Sequence, residues 1–190
     1  MGRIGLFSCL LSIGAVVSAA VLQSVEVKHL GRRYELISQS QLSAPREAIF
    51  DILTDYDRFG RISGAYTEFG FMDPTPDGTP VVYTTMEGCV LFFCKSLRRV
   101  ELLETKAPGF IRTVTLPEQS DFRYAVSQWS LETNAGGTQL TYHLEVEPDF
   151  WIPPLIGPWI LKQRLESGGV RAVNRIERLA LEDVTSGPGH

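Results

Sequence analysis

Histidine and cysteine are both scarce in this chain of 190 residues, with three of each. It contains no G-x-S-x-G, no H-E-x-x-H, no phosphate loop and no Rossmann glycine pattern. These absences remove the common motif-borne chemistries of serine hydrolases, zinc proteases, nucleotide hydrolases and dinucleotide enzymes. His29 and His190 lie near the termini, and His143 sits on a strand face opposite its apolar neighbours, toward solvent. No His or further Cys lies near Cys89 and Cys94 to complete a four-ligand zinc site, so no metal and no cofactor are expected. Basic charge is in deficit too. The net charge is −4 and the pI about 5.4, which argues against nucleic acid as a partner. The short clusters Arg32-Arg33 and Arg98-Arg99 are flanked by acids and read as solvated strand positions.

Long apolar runs are missing as well. The longest, residues 4–17, is too short for a bilayer span of about 20 residues. It follows Met1-Gly2-Arg3 and precedes Ser18-Ala19-Ala20, the layout of a secretory signal peptide cut after Ala20. Residues 1–20 are therefore expected to be removed on export to a bacterial periplasm, with a retained N-terminal anchor as the alternative. Removal would leave two cysteines in GCVLFFCK, and an even count in an oxidising compartment suggests a disulfide. Along one extended strand their Cα atoms would stand about 17 Å apart, past the bridging limit of about 7 Å. A Cys89–Cys94 bond thus requires the chain to reverse near Leu91-Phe92. Two buried free thiols are the other reading.

What is present is enough for one domain with a core, since hydrophobic residues make up 44% of the chain. The domain is expected over residues 25–184, with 185–190 a disordered tail. Strands are expected at 34–42 (with 25–28 as a front extension), 65–72, 80–89, 93–105, 110–116, 122–132 and 138–147, separated by Gly, Pro and Asn turns. Pro45 opens a short helix whose apolar stripe is Ala48, Ile49, Ile52 and Leu53, and a second short helix covers 56–62. Leu140, Tyr142, Leu144 and Val146 share one strand face. A long amphipathic helix spans 158–183, interrupted by Gly168-Gly169, which calls for a kink or a close approach to the sheet or to a ligand. The connection before it, EPDFWIPPLIGPWI, is far more apolar than a surface loop should be.

The stretches SAPREAIFDILTDYDRFGRI, GCVLFFCK, LPEQSDF and GTQLTYHLEVEPDFWIPPLIGP, with the closing helix, resemble the START-like (SRPBCC, Bet v 1-like) superfamily. The resemblance is to its polyketide cyclase/coenzyme Q-binding branch, and within it to exported bacterial members. It implies an α+β helix-grip fold, in which a bent antiparallel sheet of about seven strands wraps around the C-terminal helix. Two short helices follow the first strand. It also implies an internal cavity for an apolar molecule, because a single helix cannot cover a whole apolar sheet face.

Met86, Trp129, Leu131, Tyr142, Leu144, Trp159, Leu161 and Leu165 are the expected lining, with Phe69, Phe71 and Phe122 as second choices. Phe150, Trp151, Ile152 and Leu155 are expected to plug the open end of the sheet; the sharper alternative is a lid that touches a membrane surface. Asp55 and Asp57 fall at a helix junction, where capping is the usual role. Asp121 and Arg123 are positioned to pair near a cavity mouth. No catalytic residue is assigned. Tyr142, or Tyr83 or Tyr124 if inward, could serve a cyclase, and a buried hydrogen-bonded titratable pair would favour one. The expected function is a carrier or sequestering protein for a lipid or quinone-like compound. A cyclase/dehydratase acting on a polyketide-like substrate, or an envelope interaction module using FWIPPLIGPW, are the alternatives.

Overall fold

The computed structural model describes residues 20–90, 93–150 and 157–186. The elements in order are β1 (Val21–Leu30), β2 (Arg33–Leu42), α1 (Arg46–Thr54), β3 (Tyr66–Met72), β4 (Val81–Val90), β5 (Phe93–Lys106), β6 (Phe110–Thr115), β7 (Phe122–Asn134), β8 (Gly137–Pro148) and α2 (Gly157–Ser186). A 3-10 segment, Tyr56–Arg61, follows α1, and a shorter one, Pro117–Gln119, precedes β7. All strands belong to one antiparallel sheet in the order β1-β2-β8-β7-β6-β5-β4-β3.

The described residues form eight strands, one more than the sequence suggested. Residues 21–30 form a strand of their own, because Gly31 takes a left-handed conformation (φ 68°) and folds β1 back on β2. Register shifts at Leu22/Ser24, Tyr66/Glu68 and Phe122/Tyr124 mark bulges, which bend and twist a strand. From β3 to β8 the chain is a meander. Between β2 and β3 it crosses from one half of the sheet to the far edge, and α1 and the 3-10 segment make that crossing over the inner face.

Helix α2 packs on β1, α1 and β2. Its buried residues among those described are Val173, Ile176, Glu177 and Ala180, all beyond the glycine pair. The helix runs through Gly168-Gly169 as one element. A Cβ added at Gly169 would sit 3.6 Å from Leu22 of β1, an ordinary contact, so the second glycine marks where helix and edge strand meet. One core cluster joins Ile49, Ile52, Leu53, Tyr56 and Phe59 to Leu42, Ile111, Leu131, Leu140, Val173 and Ile176. A smaller one, Tyr34, Ala125 and Val146 with Phe122 and Leu144, lies elsewhere on the inner face.

The junction between β2 and α1 is pinned from two sides. Thr138 Oγ1 of β8 donates to Ala44 O at 2.7 Å. Glu177 of α2, only 5% exposed, accepts from Ser43 N at 2.9 Å, Ala44 N at 3.3 Å and the Ser43 hydroxyl. Pro45, the residue before α1, provides no side-chain cap. The carboxylate of α2 therefore places negative charge at the helix start, where the dipole favours it. Gly137 packs its backbone on Leu42 and Ser43 at φ 116°, so a side chain there would collide with the same junction.

Glu177→Ala removes this shared acceptor. It is expected to lower the unfolding free energy by about 3 kcal/mol in urea titration, on the scale of buried donors losing a charged partner.

Candidate functional site

Paired residues on antiparallel neighbours share a face, so the registers give the inner surface of the sheet directly. Crossing from β2 to β5, one row reads Leu36, Leu144, Ser127, Thr113 and Leu103; an adjacent row reads Ser38, Tyr142, Trp129 and Ile111. Further along, Ala125 of β7 shares this face with Thr115, Glu101 and Val82, and Arg99 pairs with Thr84. Tyr66, Phe69 and Phe71 of β3 complete the far edge.

Met86, Trp129, Tyr142 and Leu144 thus stand on this inner face, as the sequence suggested. They are half-buried even though they point inward, as are Tyr66, Phe69, Leu97 and Arg99. Trp129 and Tyr142 pack ring on ring at 4.9 Å. These inward residues keep accessible surface beside a fully buried core.

Other expectations change. Leu131 is 2% exposed and belongs to the packed core beside α1. Trp159 is 64% exposed. It lies in the first turn of α2. The side chains of Leu161 and Leu165, and residues Trp151, Ile152 and Leu155, lie outside the described residues. Phe150 stands 6.4 Å from Phe122, ring to ring, with Lys95 Nζ 4.1 Å above its face. Cys94 is disulfide-bonded, and Cys89 stands directly opposite it where β4 turns into β5.

Tyr83 and Tyr124 face outward, under the guanidinium groups of Arg98 (4.9 Å) and Arg33 (4.2 Å). His143 also faces outward, 3.1 Å from Glu35. Asp55 caps no helix through its side chain. It binds Arg58 (2.6 Å) and Arg61 (2.9 Å), and Asp57 is exposed. Asp121 and Arg123 do not pair. Asp121 Oδ2 accepts from Arg98 N at 2.8 Å, and Arg123 pairs with Asp149, because adjoining turns bring those partners closer.

The largest departure is Arg99. Only Arg98 of the pair is solvated; Arg99 points inward at 15% side-chain exposure. Its Nη2 meets Glu101 Oε2 at 2.9 Å, and Glu101 is 1% exposed. Thr113 Oγ1 donates to the other carboxylate oxygen at 2.8 Å. Tyr142 OH donates to Ser127 Oγ at 3.4 Å. Two buried atoms here, Arg99 Nε and Thr115 Oγ1, have no hydrogen-bond partner among the described residues. Such orphans are rare in native interiors. The sequence did carry a signal. On a strand, adjacent arginines face opposite ways, and Arg99 and Glu101 share a face opposite Thr113 and Thr115.

Burial sets the chemistry of the tyrosines beside this pair. It pushes Tyr66 up to about 12, with Arg99 pulling the other way. It also raises Tyr142 and, with the charge of Glu101, lifts Tyr56 well above its ordinary value. These phenols are hydrogen-bond donors at neutral pH, poorly suited to take up protons. Burial, the largest single effect on Arg99, pulls it down, but Glu101 together with Tyr142, Tyr66 and Tyr56 outweighs it and the net shift is upward, so it stays cationic.

The fold favours protonated Tyr66, so its contribution to stability is complete below pH 10 and disappears as pH rises through about 12. Ultraviolet titration should therefore show Tyr66 un-ionised at pH 10, with circular dichroism recording loss of structure as the higher pH is reached. Ionisation of every tyrosine by pH 10 in folded protein would refute this environment.

Similar architectures occur among solved structures. An aromatase/cyclase from a Streptomyces species is 15% identical, with 83% of this chain and 99% of that one aligned and a TM-score of 0.62. A START superfamily protein from Mycobacterium smegmatis gives 19%, 76%, 98% and 0.62 for the same quantities. A STAR-related lipid transfer protein fragment from Xanthomonas axonopodis gives 17%, 85%, 99% and 0.61. At these identities the likeness establishes the helix-grip fold alone. No curated protein matches significantly. The family described as polyketide cyclase/dehydrase and lipid transport matches residues 42–167, more than half of the chain, and the protein belongs to that family.

Proposed function

We propose that this chain binds an apolar small molecule, a lipid or quinone-like compound, inside the sheet as a carrier or sequestering protein and without chemistry. The observation that carries this is the half-buried inner lining of Met86, Trp129, Tyr142, Leu144, Tyr66 and Phe69. Such a lining is what ligand cavities generally use, mostly apolar with a few convergent polar groups. The polar group here is the Arg99–Glu101 pair with its tyrosines.

The same pair gives a cyclase or dehydratase its one specific argument, since such enzymes need a polar group deep in the pocket. Two facts weigh against that reading. The phenols nearest the pair are shifted away from the range useful for proton transfer. Arg99 is held cationic by Glu101 and gives no proton at neutral pH. Export fits the fold as well: β1 opens at Val21, directly after the expected cut, so cleavage leaves every strand whole. We propose that Phe150, set between Lys95 and Phe122, belongs to the ligand's entrance or its contact with a membrane surface.

Met86→Trp enlarges one lining residue. If the interior is open, the variant keeps its thermal midpoint and loses Nile red binding by about tenfold or more. If the interior is solidly packed, the extra volume costs about 1–3 kcal/mol and the midpoint falls instead; that outcome contradicts the carrier reading.

A further inference from the structure

We infer that Glu101 sets the class of ligand: it makes the interior select neutral molecules whose deep end is a hydrogen-bond acceptor, such as an alcohol or carbonyl oxygen, and reject carboxylates of the same length. This rests on the carrier reading above and goes beyond it, from an apolar molecule to the charge and polar group of that molecule.

The argument is one of charge balance. On the inner face of the described strands, the buried charges are Arg99 and Glu101, and they are in contact at 2.9 Å. Glu101 is almost wholly enclosed and takes a second bond from Thr113. The guanidinium that would otherwise attract an anion is already neutralised. An incoming carboxylate would then bring a third charge to a face where the described strands offer no free counter-charge, and uncompensated buried charge is strongly disfavoured.

A neutral oxygen meets different terms. It leaves the pair intact and can accept from the donors gathered there: Tyr66, which burial keeps protonated, and the Arg99 Nε–H, which lacks a partner among the described residues. Thr115 Oγ1, equally without a partner, is the matching group for a ligand hydroxyl, because a threonine oxygen both donates and accepts. A neutral acceptor or hydroxyl thus satisfies the orphaned atoms, and an anion satisfies them only by unbalancing the pair. Glu101 acts here through Arg99; it positions and neutralises the guanidinium.

The test compares decanol with decanoate at neutral pH, read by tryptophan fluorescence and by thermal shift. In the unaltered protein decanol should bind about tenfold or more tighter than decanoate. A plain apolar cavity would give the same order, so the decisive arm is Glu101→Gln, which leaves Arg99 without its counter-charge. That variant should reverse the order, with decanoate about tenfold tighter than decanol. If the variant is too unstable to titrate, decanoate should still raise its thermal midpoint more than decanol does, because a ligand that binds the folded state stabilises it. Decanoate binding the unaltered protein as tightly as decanol, or an unreversed order in Glu101→Gln, would overturn the role of Glu101 and leave the carrier reading standing. Failure of both probes to bind the unaltered protein would overturn the carrier reading itself.

Discussion

An arginine and a glutamate placed on the inner face of a sheet can be held there only if each neutralises the other. Arg99 and Glu101 do so, two residues apart on one strand, with Thr113 taking part of the load from the neighbouring strand. Removing water from two such charges is expensive. A buried pair of this kind seldom adds to stability over well-packed hydrophobic residues. It lies on the face that carries Trp129 and Tyr142 and the half-buried side chains around them.

The rest of the architecture serves to keep that face from collapsing. Helix α1 and the 3-10 segment fill one part of the concavity with Ile49, Ile52, Tyr56 and Phe59. Tyr34, Ala125 and Val146 fill another. Helix α2 covers β1 and β2, and its Glu177 ties it to the start of α1. Between these supports the inner strands keep half-buried side chains. The sheet's bulges supply the curvature, and two glycines, Gly31 and Gly137, let the chain turn where a side chain could not be accommodated.

Much of this was legible in the amino-acid order. The strands and the closing helix follow from period-two and helical alternation bounded by Gly, Pro and Asn. The inward set Leu140, Tyr142, Leu144 and Val146 could be read from one strand alone. What local patterns could not supply was register. Without it Tyr83 and Tyr124 could face either way, and the partners of Asp121, a backbone amide of β5, and Arg123, the carboxylate of Asp149, were out of reach. β1 was read as an extension of its neighbour because its alternation is weak and its residues are at most half-buried. Arg99 was misread for a physical reason: charge usually signals solvent, and only the pairing across β5 and β6 reveals that this one is enclosed.

Carrying a guest without transforming it is the central claim. Native mass spectrometry of the purified protein, followed by solvent extraction of whatever travels with it, tests that claim most directly. The account predicts a bound, neutral, apolar molecule that is recovered chemically unchanged after prolonged incubation with the protein. A ligand-free protein that takes up no added neutral lipid, or an added molecule returned cyclised or dehydrated, would contradict it.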